Sequence, residues 1–454
     1  MGKSLNRRIT PWSLLSFAAP SIIMMVFMSL YTIVDGIFVS RFVGSNALSS
    51  LNIVYPVVNV AIAIAMMLAS GGNAIISKYL GEGNKKRACE SLTQFVMVCI
   101  LVSLVIVVIS QVFLTEISRL LGSNEVLLAD CKSYLGMVSL FIPACMLQTL
   151  FQMYLVTAGR PTMGLLLMIG AGIVNAVLDY VFIDVMKMGI SGAGIATFAG
   201  QSVSLIIMYM CVRSGHSVVR LHLGDIWSFR YWAKILRVGM PSFLRQGFMC
   251  LAAVMISRSC RQYGDDAMAG ITVANKIFAV VFAVLVGYGQ GFAPVCGFAY
   301  GAKLMERVRL SRKFTMITAV IFMVFAGAAS FIWADLLAGI FLGGQNGAAG
   351  ISSFSIRAHG ISMPFAALSL VAGMYYQALG AYGKATLISA FRQGVFFVPL
   401  MFLLPQVYGL AGVAVVQAAA DVLSGVVAFV IFILTCRTQK LSLIHISEPT
   451  RQAE

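Results

Sequence analysis

Three carboxylates lie well inside long apolar stretches of this sequence. They are Asp35, Asp179 and Asp421, whereas the other thirteen Asp and Glu residues fall in loops, at the ends of apolar runs or in the C-terminal tail. An ionisable group in an apolar, water-poor environment is costly and marks a functional site by default. The structural alternative is a neutralised acid that pairs with a basic residue or caps a broken helix.

Two of these carboxylates have a polar neighbour one helical turn away. Tyr31 precedes Asp35 by four positions, and Asn175 precedes Asp179 by four. This spacing places each pair on one face of a helix. Thr197 adds a hydroxyl on the next apolar run. If these helices meet, their oxygen groups suit a hard monovalent cation. Alternatively, one carboxyl holds a proton, because burial and a neighbouring carboxylate disfavour its ionised form.

The second half of the chain does not repeat this arrangement. Its apolar runs instead contain three basic residues and one acid, namely Arg245, Lys276, Arg392 and Asp421. We interpret them as an internal charge network, with contact to a substrate as the alternative.

The composition indicates the class of protein in which these residues lie. Of 454 residues, 60% are hydrophobic and only 11% charged, and the mean hydropathy is +0.92. Soluble domains carry about 25% charged residues. A membrane span needs about 20 apolar residues, so twelve spans would use about 240–300 residues. The sequence therefore predicts an all-α polytopic membrane protein with little room for a soluble domain.

Twelve apolar runs follow one another along the chain. They fall near 12–38, 51–77, 92–114, 134–158, 162–183, 190–212, 236–260, 270–299, 314–334, 352–379, 385–405 and 410–435. The longest interruption, near 213–235, is basic and carries two Trp residues, which is typical of a segment on a membrane surface. We therefore predict four parts: a six-helix bundle over 1–213, a cytoplasmic linker over 214–235, a second bundle over 236–440 and a tail over 441–454.

The net charge of +16 reflects basic loops between the apolar runs, a distribution that does not indicate a nucleic-acid-binding face. On the side of the N-terminus we count 22 of the 32 Lys and Arg residues, against 7 on the opposite side and 3 within helices. By the positive-inside rule, this bias places both termini in the cytoplasm. Residues 1–10 precede an apolar run too long for a cleaved signal peptide, so we expect a first membrane helix there.

Similar features recur about 220 residues apart. The matching positions include Pro20 with Pro241, Gly44 with Gly264, Gly81 with Gly301, Pro143 with Pro364, and Gly189 with Gly409. A nearly constant offset through five of six helix pairs indicates duplication. Because six is even, the halves share one orientation, as parallel repeats do, and substrate sites in such proteins lie at or near the interface of the repeats.

Other motifs add little. There is no Walker-type phosphate loop, the nine Cys residues lack zinc spacing, and the four His residues fall in or near loops. We therefore expect no enzymatic activity, no metal site and no cofactor beyond a coupling ion. Amides and flexible Met side chains suit an adaptable cavity. The candidates for its lining are Met28, Gln148, Gln152, Gln246 and Asn275.

With these residues assembled, the chain resembles the multidrug and toxic compound extrusion (MATE) family of secondary transporters over about residues 5–437. The resemblance is carried by the 6+6 repeat, by the Gly-x-Gly-Asn loop at 81–84, and by individual residues in the first, fifth and sixth helices. These residues are Pro20, Tyr31, Asp35, Asn175, Asp179 and Thr197.

The resemblance implies two six-helix bundles in a V and alternating access. It also implies export of small amphipathic, often cationic, compounds in exchange for inward H⁺ or Na⁺. The residues that match the family's cation site in the N-terminal bundle are Tyr31, Asp35, Asn175, Asp179 and Thr197, and Pro20 matches its first-helix bend. The branch with acidic residues in the seventh and tenth helices does not match, because no carboxylate occupies those spans here.

Our leading hypothesis is accordingly an antiporter in the plasma membrane. We expect a monomer in the lipid bilayer that binds small molecules and no nucleic acid. The alternatives are a flippase for lipid-linked sugar precursors, for which the buried basic residues argue, and an intramembrane enzyme. Residues 441–454 resemble translated adaptor or vector sequence, so we exclude them from functional reasoning.

Overall fold

The computed structural model describes residues 10–42, 45–123, 127–186, 188–213, 229–342 and 346–447. Within these ranges, some side chains lie outside the description, namely those of residues 31–42, 45–52, 184, 189–191, 193, 211–213, 229–231, 234, 346 and 436–447. All regular secondary structure in the described ranges is helical, with no strand among them. The all-α fold class is therefore confirmed.

Fourteen α-helices follow in chain order through the described part. They are α1 (Pro11–Phe42), α2 (Ser45–Gly81), α3 (Lys85–Val112), α4 (Leu114–Leu120), α5 (Leu128–Thr157), α6 (Pro161–Asp179), α7 (Gly189–Arg213), α8 (Phe229–Cys260), α9 (Asp265–Gly301), α10 (Met305–Ile332), α11 (Ala334–Leu342), α12 (Asn346–Ala378), α13 (Tyr382–Ala390) and α14 (Phe397–Ser447). Two π-helical segments, Tyr180–Val185 and Phe391–Val395, continue α6 and α13, and a 3₁₀ turn, Arg261–Tyr263, links α8 to α9.

These helices supply twelve membrane crossings, as predicted. Ten helical stretches of the described chain are long and apolar enough to span a membrane. One of them, Tyr382–Thr435, has 54 residues and is broken at Gly409 (φ 58°, ψ −133°), so it contains two crossings. A shorter apolar helix within α7, Gly194–Met210, supplies the last. Helices suit this environment because each one satisfies its own backbone hydrogen bonds where hydrocarbon offers no partner.

The chain forms two compact units. Unit 1 comprises Met1–Leu251, Ala279–Thr315 and Gln377–Tyr382, and unit 2 comprises Ala252–Phe278, Met316–Tyr376 and Gly383–Glu454. Unit 1 thus contains α1 to α7 together with parts of α8, α9, α10, α12 and α13. The predicted domain limits at 213, 235 and 440 remain a prediction, because residues 214–228 and the end of the tail lie outside the described part.

The core of unit 1 is built mainly by α2, α3 and α5. Large side chains of these helices, among them Leu68, Phe95, Phe151 and Tyr154, are fully buried against one another. Gly72 on α2 leaves room for the Phe95 ring, because a Cβ at that position would press on the ring carbons. The core therefore depends on large and small side chains that alternate between facing helices.

Matched glycines of the two repeats join α2 to α9 within unit 1. A Cβ on Gly81 would meet the carbonyl oxygen of Phe298, and a Cβ on Gly301 would meet that of Lys78. The two contacts are equivalent under the repeat, because each partner lies 220 residues from its counterpart. This reciprocal contact is what an axis along the membrane normal produces. It gives a physical reason for the recurrence of Gly81 and Gly301 in the sequence.

Glycines of α9 also allow α1 to approach closely. A Cβ on Gly287 would meet the backbone of Ser21 and Ile22, and one on Gly291 would meet Ala18. Glycines four positions apart let helix backbones pack tightly in membranes. The contact holds the part of α1 that surrounds Pro20, which lies inside the helix and lacks an N–H for the helical ladder.

A polar cluster connects α2, α8 and the end of α12 in the same unit. Ser70 Oγ donates to Ser242 Oγ at 2.7 Å. The amide nitrogen of Gln377 donates to the carbonyl oxygen of Val238 at 3.1 Å and lies within 3.4 Å of both serine hydroxyls. In an apolar interior such bonds hold helices together, because the alternative is an unsatisfied polar group.

We expect close packing at Gly239 to be required for stability. A Cβ there would meet the backbone of Met67, whereas one on Gly247, on the same helix α8, would enter open space. Gly239→Ala should lower the free energy of unfolding by about 1–3 kcal/mol because of overpacking. Gly247→Ala should be neutral or stabilising, because Ala favours a helix over Gly. Thermal unfolding of both purified variants in detergent measures this, and equal midpoints would contradict the packing described.

Candidate functional site

A cavity of about 150 Å³ lies among α1, α2, α5, α6, α7 and α9 in unit 1. Six thioethers contribute to its walls, from Met24, Met25, Met28, Met66, Met153 and Met168. The polar part of the lining consists of neutral amide, hydroxyl and thiol groups, from Gln148, Gln152, Asn175, Gln201, Gln290, Thr149, Thr197 and Cys145. No Lys or Arg is among the described residues that line it.

The amides and thioethers of this cavity contact one another. The amide nitrogen of Gln152 lies 3.2 Å from the sulfur of Met168, and that of Gln290 lies 3.6 Å from the sulfur of Met25. A thioether is a weak acceptor with three rotatable bonds in its side chain. These contacts therefore cost little to break, so the amide donors are available to a ligand.

One wall is formed where α6 and α7 approach each other. Gly200 on α7 packs on the Ala171 carbonyl and the Asn175 side chain, with no space for a Cβ. Because the helices are so close, Asn175 Nδ2 donates to Thr197 Oγ1 at 3.3 Å. The predicted contact between the fifth and sixth membrane helices is thus present.

Asp179 lies one turn beyond Asn175, at the end of α6. Its side chain is only 4% exposed. The helix continues as the π-helical segment Tyr180–Val185 directly after it. Single π-helical turns are frequent at functional sites because they change which side chains face a neighbour. Burial of this carboxyl one turn from the Asn175 amide fits the cation or proton site that we predict.

The structure places the other predicted site residues as follows. Met28, Gln148 and Gln152 line the cavity. Gln246 is half-buried on α8 and is not among the lining residues. Asn275 lies in unit 2, where it contacts a histidine. Tyr31 and Asp35 belong to α1, but their side chains lie outside the described residues, so their part in the site remains a prediction.

Several lining residues were not predicted from the sequence. Met66, Cys145, Thr149 and Gln201 are examples. Helical spacing is the signal that could have found three of them. Cys145 and Thr149 lie on α5 within the same two turns as Gln148 and Gln152, and Gln201 follows Thr197 by four positions. No residue of α2 was among the predicted lining residues, so helical spacing could not have found Met66.

Unit 2 contains a separate buried polar cluster. Arg392 forms a buried ion pair with Asp421, in which Nε donates to Oδ1 at 2.6 Å. Gln417 donates to the same oxygen at 3.0 Å. The predicted charge network is therefore present for these two ions. Lys276 is exposed and does not belong to the buried pair.

The prediction that all four histidines fall in or near loops is wrong for His359. It lies inside α12 and is 2% exposed. Its ring is accommodated there because Asn275 supplies a hydrogen-bond partner at 3.2 Å and Phe278 presents an aromatic edge. His216 and His222 lie outside the described residues, and His445 belongs to α14 with its side chain outside the description.

Comparison with known proteins matches these features to a family. The MatE family model matches residues 20–181 and again residues 241–403, so the second match begins 221 residues after the first. The chain belongs to the MATE family. The double match agrees with the internal repeat and covers most of both halves of this MATE transporter.

Relatives of this MATE transporter cover almost its whole length. The multidrug export protein MepA of Staphylococcus saprophyticus is 22% identical over 427 residues, which is 93% of each chain. MepA of Staphylococcus aureus (strain NCTC 8325 / PS 47) is 21% identical over 424 residues, with the same coverage.

Solved structures share its fold. A MATE structure in complex with MaL6 has a TM-score of 0.90 at 21% identity, covering 96% of this chain and 98% of the other. A mutant of the Vibrio cholerae MATE transporter VcmN has a TM-score of 0.88 at 19% identity, covering 94% and 96%. The likeness confirms the twelve-helix fold.

The bond between Asn175 and Thr197 can be tested by stability. Thr197→Val keeps the shape of the side chain and removes the hydroxyl acceptor, whereas Thr197→Ser keeps the hydroxyl. The Val variant should lose about 0.5–1.5 kcal/mol of folding free energy, the net value of one hydrogen bond. The Ser variant should lose less. Thermal unfolding in detergent measures both, and a Val variant as stable as the wild type would exclude a contributing bond.

Proposed function

We propose that this MATE transporter is a secondary antiporter that exports small amphipathic, often cationic, organic compounds in exchange for H⁺ or Na⁺. The observation that carries the proposal is the cavity of unit 1, which Asn175 and Thr197 line, together with the buried Asp179 one helical turn beyond Asn175 on α6. Substrate groups and a coupling cation would therefore act on the same wall.

The lining favours substrates with a large apolar surface and few fixed polar groups. Thioethers are polarisable and flexible, so they adapt to aromatic rings of different shapes. Neutral amides orient a ligand without demanding one charge pattern, which suits a promiscuous site. A lipid-linked sugar carries phosphate, and the described lining residues offer no basic side chain for it. The staphylococcal relatives bear the name of multidrug export proteins.

The coupling would use the difference in ion affinity between two conformations. A ligand shifts a conformational equilibrium only by its differential affinity for the two states. A cation or proton bound at Asp179 would neutralise a charge that is costly in an apolar interior. Its arrival would change the balance of contacts between α6 and α7, on the wall that the substrate occupies. Ion entry and substrate release would then be linked.

Alternating access would require one set of contacts to separate. The reciprocal glycine contacts join the ends of α2 and α9 directly before the loops that follow these helices, and the Ser70–Ser242–Gln377 cluster joins α2 to α8 and α12. The bias of Lys and Arg places those loops on the cytoplasmic side. We accordingly propose a plasma-membrane protein with both termini in the cytoplasm, acting as a monomer, in which these contacts break when the cavity opens inward.

Transport by purified protein in liposomes tests this function. Efflux of a fluorescent cation such as ethidium should follow an imposed pH gradient or Na⁺ gradient, applied one at a time. Asp179→Asn should reduce ion-driven efflux at least about tenfold, because a neutral amide takes up no proton and offers no negative charge to a cation. Asp130→Asn, which changes an exposed acid on α5, is the matched control and should transport normally.

Two results would contradict the proposal. Efflux that responds to neither gradient would exclude antiport. Wild-type efflux by Asp179→Asn at equal protein content would leave antiport possible and remove Asp179 from the ion site.

A further inference from the structure

The neighbour of His359 determines which ring nitrogen carries a proton. Its Nε2 lies 3.2 Å from Oδ1 of Asn275, which is a carbonyl oxygen and only accepts hydrogen bonds. Nε2 therefore carries the proton and donates it to this bond. In a neutral ring with this tautomer, the other nitrogen, Nδ1, has a lone pair. It is buried and has no hydrogen-bond partner among the residues that the structure describes.

A lone pair in this position is the place where an imidazole takes up its second proton. A buried acceptor without a partner is costly, and native structures keep few of them without a reason. Burial of the ring in an apolar interior makes a charge on His359 costly. It would take up a proton only if its surroundings changed.

The charged groups that act on His359 are Asp421 and Arg392, from the two segments after α13. Asn275 and Phe278, the contacts from α9, are neutral. The Phe278 ring meets the imidazole edge-on at 4.7 Å between centroids, and Arg392 lies 6.0 Å from the same ring. The ion pair and the imidazole thus share one aromatic neighbour.

The state of the Arg392–Asp421 ion pair determines whether a proton on His359 is favourable. With Asp421 bound to Arg392 and Gln417, its charge is already compensated, and a proton on His359 would add an uncompensated positive charge. If Arg392 moved away, the exposed carboxylate would favour the imidazolium. Arg392 lies in the π-helical segment Phe391–Val395, a kind of turn that is frequent at functional sites. The proton on His359 and the position of Arg392 are therefore linked.

We propose that His359 Nδ1 is a second proton-binding site of this transporter, in unit 2, and that the Arg392–Asp421 pair controls its occupancy. The inference rests on the antiport proposed above. It adds a site that is separate from Asp179, lies in the other unit and is suited only to a proton. Proton-driven transport would then use one carboxyl in unit 1 and one imidazole in unit 2.

The test counts protons exchanged per substrate exported, in liposomes that contain the full chain and ethidium. His359→Gln keeps a side chain that can donate to Asn275 but cannot take up a proton. By linkage, it should lower the number of protons per ethidium by about one. His222→Gln, in the hydrophilic stretch between the halves, is the control and should leave the number unchanged. An unchanged number in His359→Gln would overturn the proposal.

A second measurement does not depend on transport by a variant. In wild-type protein labelled with ¹⁵N-histidine, the resonances of His359 are identified as those missing from His359→Gln. Conditions that favour the inward-facing and outward-facing states should give a neutral ring with the proton on Nε2 in one state and an imidazolium in the other. A neutral ring in both states would overturn the proposal.

The outcomes separate this inference from the proposed function. Proton-driven efflux with the same stoichiometry in both histidine variants would retain antiport and exclude His359. Efflux driven by Na⁺ alone would also retain antiport and exclude a proton site. Efflux that follows neither gradient would exclude the antiport itself and the second site with it.

Discussion

Hydrocarbon offers no hydrogen-bond partner to a polar group, and the rest of this structure depends on that constraint. Backbone groups form their hydrogen bonds within helices. The buried polar side chains described here find hydrogen-bond partners on neighbouring helices. The Asn175–Thr197 bond, the Gln377 cluster and the Arg392–Asp421 pair are all results of the same constraint. Cavities with polar walls in such a protein indicate where a ligand or ion completes the set of partners.

Much of the fold could be predicted because its determinants are local. Each apolar run is long enough to span a membrane, so the number of runs gives the number of crossings. The recurrence of features about 220 residues apart indicates the repeat. The glycine contacts could not be assigned in advance, since a glycine in a helix has the same sequence appearance whether it faces open space or another backbone. Gly247 and Gly239 on α8 differ only in what lies across from them.

The site was predictable to the extent that helical spacing carries information. Asn175 and Asp179 are one turn apart, so their shared face follows from the sequence, and Thr197 lies where the next helix brings it. His359 gave no such signal, because its partner Asn275 is 84 residues away and the two meet only through packing. The halves consequently share a scaffold while their buried ionisable groups differ: a carboxyl in unit 1, and an imidazole beside an ion pair in unit 2.

Ion release on substrate binding tests the central claim most directly. Purified transporter in weakly buffered detergent solution is mixed with ethidium, and released H⁺ or Na⁺ is measured together with bound ethidium. In the proposed mechanism, substrate and coupling ion act on one wall, so ethidium should release ions from the wild type, and Asp179→Asn should release fewer. Stoichiometric ethidium binding without release of either ion by the wild type would contradict the account.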